Sequence, residues 1–544
     1  MKKKRILLLT ISMIFVSICT GTAGAELRGS PHDFSATSGA SPCSHCHTPH
    51  HALGMTPLWN QELSTATYTI YQSSSLDSQV GQPTGASKLC LSCHDGTVAL
   101  SQMGDGTTMP PGASHLGTDL SDDHPVSFVY SDAIASQDLQ IRPASMLPEQ
   151  LKLDASGELQ CTTCHDAHNN QHGKFRAISN LGSAMCLQCH ILNGWTLSSH
   201  ESAMKSLLGS SDPYLQNSEY RHMADTACLC CHRSHSAGRP ERLLQAALSE
   251  DNCMSCHDGS VAHTNIESSL AKISAHDVRR YNNLHDPREV PADAARHVEC
   301  VDCHNPHATQ SLAASPPLVP GALQGVSGVT ATGGIIQEAQ YEYEVCFKCH
   351  ADNLSRIDSV IPRQITQTNC RLEFDPSNPS FHPVEVPGKN PDVPSLIPPR
   401  TTSTLIYCTD CHASDSSGTK GPHGSNYTPL LAFNYETDDY TKEGTFAYEL
   451  CYQCHSRNSI LGNESFTKHK EHLEHDTPCS ACHDAHGISS GQGNTTENSH
   501  LINFDTRMTF PDPQTGRREF NDDGTFHGTC YLTCHGKDHS PESY

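Results

Sequence analysis

Tryptophan is nearly missing from this chain of 544 residues, which has 2 copies, and phenylalanine contributes only 14. Hydrophobic residues make up 36% and aromatic residues 6%, lean for a soluble domain, where apolar residues together with glycine approach half the chain. That shortage excludes an enzyme folded round one large aliphatic core, so something other than side chains must fill the interior. Basic residues are scarce too: 35 Lys and Arg stand against 59 Asp and Glu, a formal charge of −24. The acidic excess is spread along the chain, which excludes a sequence-general grip on nucleic-acid phosphates. After residue 25 no stretch is long and apolar enough to span a bilayer. What is abundant is cysteine, with 27 copies, and histidine, with 37.

Residues 1–25 are a separate object. A basic start from Met1 to Arg5, a mostly apolar run of 13 residues from Ile6 to Ile18, and the small residues Ala23, Gly24 and Ala25 read as a secretory signal. Cleavage is expected after Ala25, which removes Lys2, Lys3, Lys4 and Arg5 and takes the formal charge from −24 to −28. Cys19 raises the question of lipidation, but Ile18 before it is not the small residue such a site wants. The mature protein is expected to be soluble and exported, to the periplasm, the outer-membrane surface or the extracellular space.

The cysteines fall into a repeat. Cys-x-x-Cys-His occurs eleven times: Cys43, Cys46 and His47 (site 1); Cys90, Cys93 and His94 (site 2); Cys161, Cys164 and His165 (site 3); Cys186, Cys189 and His190 (site 4); Cys228, Cys231 and His232 (site 5); Cys253, Cys256 and His257 (site 6); Cys300, Cys303 and His304 (site 7); Cys346, Cys349 and His350 (site 8); Cys408, Cys411 and His412 (site 9); Cys451, Cys454 and His455 (site 10); Cys479, Cys482 and His483 (site 11). Site 12, Cys530-Tyr-Leu-Thr-Cys534-His535, has one extra residue between its cysteines. Two cysteine sulfurs form thioethers to the vinyl groups of a haem, and the adjacent histidine becomes an axial ligand of its iron. Disulfides or half zinc sites use cysteine pairs but leave the histidine unexplained. The sequence therefore predicts about twelve covalently attached haem c groups. The sites consume 24 of the 27 cysteines; of the remainder, Cys230 and Cys370 are two free thiols or a pair, with free thiols the favoured reading.

A second layer of order concerns the other face of each iron. Five sites continue as Cys-His-x-x-His, which adds His50, His168, His235, His307 and His486. Residues three apart share a face of a helical turn, so one segment can present one histidine to its own iron and the other to an adjacent haem. Site 9 carries Asp415 where the extra histidine is expected, and His423 in Gly-Pro-His-Gly is its candidate substitute. Each of these sites alternates with one lacking the extra histidine, so the array reads as six pairs. The equal 25-residue offsets from 161 to 186 and from 228 to 253 mark an internal repeat. His222, His297 and His472 shortly precede a site. His124 and His382 share a His-Pro-Val setting in which proline fixes the direction of the residue before it. His200 and His423 complete the twelve predicted distal ligands, with His32, His276, His285 and His500 in reserve. With only 11 methionines in the chain, two-histidine ligation is expected throughout, and with it low, overlapping potentials.

Without the signal, 519 residues serve twelve sites, about 43 each, too few to wrap each haem in its own domain. The predicted fold class is a multihaem cytochrome c, mostly irregular loops with short α-helices around a packed haem array and little β structure. The expected division is a signal at 1–25 followed by haem pairs at 26–150, 151–205, 206–270 and 271–360. A Pro-rich linker or covering strap then occupies 361–400, ahead of pairs at 401–465 and 466–544. Ser315 to Gly334 reads as a loop-rich insertion. The clearest short helix candidate is Glu241 to Leu248, after Pro240 at a natural helix start.

Stretches such as His297-Val-Glu-Cys-Val-Asp-Cys-His-Asn-Pro-His307 and Gly421-Pro-His-Gly424 resemble the multihaem c-type cytochromes of the paired Cys-x-x-Cys-His class found in metal-respiring bacteria. The resemblance covers nearly all the mature chain; the longer site 12 and Asp415 are its departures. It implies electron transfer across the periplasm and outer membrane, not enzymatic catalysis. The implied partners are other redox proteins, extracellular electron acceptors, an outer-membrane conduit or further copies in a filament, and no nucleic acid. The rival class is a multihaem oxidoreductase acting on nitrite, hydroxylamine or sulfite, which needs one iron with an open position, often marked by lysine in place of a motif histidine. None of the twelve sites has that lysine.

Overall fold

The computed structural model describes residues 27–50, 52, 58–100, 106–281, 284–286, 288–357 and 359–544. The predicted signal at 1–25 lies outside them. Most of the described chain is loop and turn, punctuated by short helices and small sheets. No helix among the described residues is long and apolar enough to cross a membrane.

The sites themselves set the local structure. In sites 1, 3, 4, 5, 7, 9, 10 and 11 the histidine N–H donates to the carbonyl of the first cysteine, four residues back, at 2.9 to 3.0 Å. One turn of that kind places residues three apart on one side, so both thiols project together and the histidine follows at the end of the turn. Sites 2, 6 and 8 are instead the last turns of longer helices: α1 (Gly85–His94), α2 (Ser249–His257) and α3 (Glu342–His350). Their larger apolar residues point inward, and Leu91 and Phe347 are each only 1% exposed.

The chain divides into two compact units. The first comprises Met1–Asn193 and Asn217–Asn252, and its apolar packing is in small clusters such as Tyr68 with Leu91 and Leu120, and Phe128 with Tyr130 and Leu159. The second comprises Gly194–Gln216 and Cys253–Tyr544. Its largest cluster joins Val329, Tyr343, Phe347, Ala351, Phe374, Phe381 and Val384. Phe381 and Val384 belong to the Pro-rich segment, which is thus packed along its middle. Within this unit β1 (Ser274–Ala275) pairs antiparallel with β2 (Gly424–Ser425). Near the C-terminus β3 (Thr509–Phe510), β4 (Glu519–Gly524), β5 (His527–Cys534) and β6 (Lys537–Ser543) form a four-stranded antiparallel sheet centred on β5.

The helix expected from Glu241 to Leu248 does not form. Only Glu241–Leu243 makes a 3-10 turn, Arg242 and Leu243 take left-handed φ values of 59° and 52°, and Leu244 bridges to His232. Helix propensity is overridden here because the segment has to run back beneath site 5.

Candidate haem sites

The same return path recurs under the odd-numbered sites. His47, His165, His232 and His483 each form a β-bridge with a later residue, namely Trp59, Arg176, Leu244 and Ile502. Just before those bridges, or at the equivalent place after site 9, Leu58, Lys174, Arg242, His500 and Leu430 adopt φ between 50° and 62°. A side chain with a Cβ pays about 1–2 kcal/mol for such a conformation. The turn points a backbone carbonyl at a histidine ring. The Nδ1–H groups of His165, His232, His304, His412 and His483 donate to the carbonyls of Lys174, Arg242, Ala322, Pro429 and His500 at 2.8 to 3.2 Å. At even sites His94 donates to the Ser114 carbonyl (2.7 Å) and His455 Nδ1 meets the Ser395 hydroxyl (2.9 Å). With Nδ1 occupied, Nε2 is the nitrogen left for a metal, the usual arrangement of a ligating imidazole.

An iron between two Nε2 atoms at about 2.0 Å each holds the ring centroids about 6.3 Å apart. Among the described contacts, nine motif histidines have a second ring at that spacing. His47 faces His168 (6.1 Å), His165 faces His235 (6.2 Å), His304 faces His423 (5.9 Å), His412 faces His486 (6.0 Å) and His483 faces His469 (6.2 Å). Among the even sites His94 faces His32 (6.1 Å), His190 faces His124 (6.4 Å), His257 faces His200 (6.2 Å) and His350 faces His276 (6.3 Å). His455 has His382 among its electrostatic neighbours. Burial pushes the rings of His190, His257, His350, His412, His423, His455 and His483 down to about 4, and that of His469 to about 3. A neutral imidazole is the form that binds metal.

The pairings follow a rule. In the odd series the second histidine of a Cys-His-x-x-His segment faces the preceding odd site, as His168, His235 and His486 do, and His423 does so from the loop after site 9. Asp415, in the place of a histidine, clamps that loop: it pairs with Lys272 and accepts from the Asn426 backbone and side-chain amides at 3.2 and 3.0 Å. In the even series the facing histidine comes from the segment ahead of the pair. The two kinds of distal histidine are joined by backbone: His124 N–H donates to the Ser234 carbonyl (2.9 Å), His276 to His423 (3.3 Å) and His382 to His486 (2.9 Å). One backbone contact therefore positions the outer ligands for both members of a pair.

The other sequence-predicted residues have the following surroundings. His50 is exposed. His222 Nδ1 is 3.2 Å from Asp225. His307 lies edge-on to Trp195 at 6.2 Å. His297 lies 6.5 Å from His285, and Glu289 and Asp302 complete a four-donor group with them that suits a cation, all within 4.8 Å of one another. His472 faces His539 at 6.3 Å. His535 stacks on Tyr440 at 4.6 Å and its Nε2 is 2.6 Å from Asp439 Oδ1, so the structure departs there from the sequence expectation. His469 and His539 are the rings that the sequence did not single out.

Residues 155–192 match the family described as the doubled CXXCH motif. The matched segment holds sites 3 and 4, and the match is consistent with a multihaem c-type cytochrome and supports a role in electron transfer with haem c. No curated protein matches the chain. Cysteines of neighbouring sites also meet across pair boundaries. Cys90 and Cys161 are hydrogen-bonded thiols, as are Cys186 and Cys228, and Cys346 and Cys408. Sites 2 and 3, 4 and 5, and 8 and 9 are therefore neighbours at their sulfur edges.

Proposed function

We propose that this chain is a twelve-haem c-type cytochrome that works outside the cytoplasm and passes electrons along closely spaced irons, each held by two histidines. The observation that carries the reading is the ring spacing of 5.9 to 6.4 Å at nine motif histidines, the separation that one metal between two imidazoles requires. Haem c, when bound, supplies a one-electron iron couple. The chain contributes the rest: it aims many of the rings with an Nδ1 hydrogen bond, as at His165, His232, His304, His412 and His483, lowers the pKa of most of the paired imidazoles by burial, and brings the attachment cysteines of successive pairs together. An iron with two histidines has no open position for a substrate, which favours electron transfer over catalysis. Covalent attachment suits a protein that works outside the cell, and the acidic surface suits basic patches on redox partners, on an outer-membrane conduit or on a surface-exposed acceptor.

The intact mass of the mature protein tests this. The expected result is an excess over the polypeptide of twelve haems, with a ferric spectrum that is wholly low-spin. A colourless, haem-free but folded product overturns the reading, and a high-spin signal from about one iron in twelve turns it toward an oxidoreductase with an open site.

A further inference from the structure

Site 12 is built unlike the other eleven. Its cysteines lie on the strand β5, not on a helical turn, and β5 pairs with β6 so that Leu532 is directly opposite His539 and Cys534 is opposite Lys537. Side chains on a strand alternate between faces. Cysteines three apart, as in the other sites, would project to opposite faces of a strand; cysteines four apart share one. The extra residue in Cys530-Tyr-Leu-Thr-Cys534 therefore puts both sulfurs on the face of Leu532, which packs against Ile502 and Phe504 with Cys482 and Cys534 beside it. Tyr531, at the odd position, has Arg517 over its ring at 3.8 Å.

The same arithmetic moves the adjacent histidine away. His535 and Gly536 form the two-residue hairpin turn between β5 and β6, with φ of 51° and 75°, the backbone of a type I′ turn. Nε2 of His535, the atom that serves as ligand elsewhere, is engaged by Asp439. His539 is the histidine on the cysteine face. It is 5% exposed, and its Nδ1 is held by the Tyr544 hydroxyl at 2.6 Å and by Glu542 at 3.2 Å, which reserves Nε2. Its ring lies 6.3 Å from His472 at an angle of 19°, and His472 Nδ1–H donates to the Lys468 carbonyl at 2.7 Å. The order along the chain agrees. The distal histidines of sites 2, 4, 6 and 8 each come from the segment ahead of their pair, and His472 holds that place for site 12.

We propose that the twelfth haem is gripped by a β-hairpin, attached through Cys530 and Cys534 and ligated by His539, with His472 on its other face and His535 serving as the turn residue. This rests on the reading of the chain as a haem c protein. Its test compares His539→Met with His535→Met in the full mature chain, each checked by intact mass for haem number. In His539→Met one iron acquires a methionine ligand, seen as a new near-infrared sulfur-to-iron band and one higher-potential step in twelve; His535→Met leaves the spectrum of the parent. His539→Gly covers a poorly folding methionine variant: one iron in twelve becomes high-spin, and added imidazole restores it. The methionine band in His535→Met alone overturns the proposal, as does loss of one haem from His535→Met with none lost from His539→Met. A parent mass showing eleven haems, with Cys530 and Cys534 open to alkylation, overturns it while leaving the rest of the array intact. A mass without any haem instead overturns the underlying function.

Discussion

Glu373 Oε2 lies 2.9 Å from Nδ1 of His486, and its side chain is only 9% exposed. Although burial lowers the His486 ring, the Glu373 carboxylate carries it up to about 9. A buried carboxylate on the outer nitrogen makes an imidazole a stronger donor to a metal and favours the ferric state. Asp123 stands in the same relation to His235 at 3.0 Å. Glu373→Gln is expected to weaken that preference about tenfold, raising the potential of one haem by ~60 mV for a one-electron couple. Spectroelectrochemistry checks this, and an unchanged titration curve counts against His486 as a ligand.

His423 and His304 are stacked at 5.9 Å and 8°, whereas His50 is exposed. His423→Ala should therefore convert one iron in twelve to high-spin in the electron paramagnetic resonance spectrum, while His50→Ala leaves every iron low-spin. Equal spectra from the two variants would refute the rule that each odd site is served by the segment of the next.

Asp415→Asn removes the charge that Lys272 meets in a mostly buried setting, where the two side chains are 11% and 19% exposed. Leaving a buried charge without its partner costs about 3 kcal/mol. The variant is expected to unfold at lower denaturant concentration than the parent and to show partial loss of the His423 ligand. A wild-type midpoint would show that the clamp is dispensable.

The buried histidines impose a pH dependence. Their rings titrate near 4 in the folded protein, as for His190, His257, His350 and His455, and near 6.5 once unfolded. Between those values the unfolded chain binds protons that the folded one refuses. Stability is thus complete above pH 6.5 and declines as the pH falls toward 4, in the direction in which acid also competes for metal ligands. Denaturation midpoints at pH 7.5 and pH 5 check the sign, and a higher midpoint at pH 5 would contradict it.

A formal charge of −24 before processing predicts that association with a basic redox partner slows as salt rises, because screening removes the steering field. Stopped-flow rates across a salt series measure this; rates indifferent to ionic strength would argue for an apolar docking surface.

Much of the candidate site is legible in the chain because attachment chemistry fixes sequence spacing. Eleven sites need only one helical turn, and one turn is a local property. His168, His235 and His486 are legible for the same reason, since each rides three residues behind a motif histidine. His423 is legible as the substitute for a histidine displaced by Asp415. His469 is hidden because it rides the short helix that also carries His472, not a Cys-His-x-x-His segment whose spacing would mark it. His32 and His276 gave no local sign that they outrank His222 or His297 as facing rings. The failed helix at Glu241 to Leu248 shows the same limit, because the need to deliver the Arg242 carbonyl to His232 lies outside the segment's own propensity.

The sequence by itself determined where cysteine pairs and their adjacent histidines stand, how they alternate, and that too little apolar mass exists for a conventional core, because composition and offsets along a chain survive without any fold. Only the tertiary structure decided which ring looks at which, and that the last pair of cysteines rides a hairpin with His539 on their face. Facing two imidazoles across about 6 Å joins segments as far apart in sequence as His304 and His423, and whether a residue four places on shares a face depends on whether the chain there is coiled or extended.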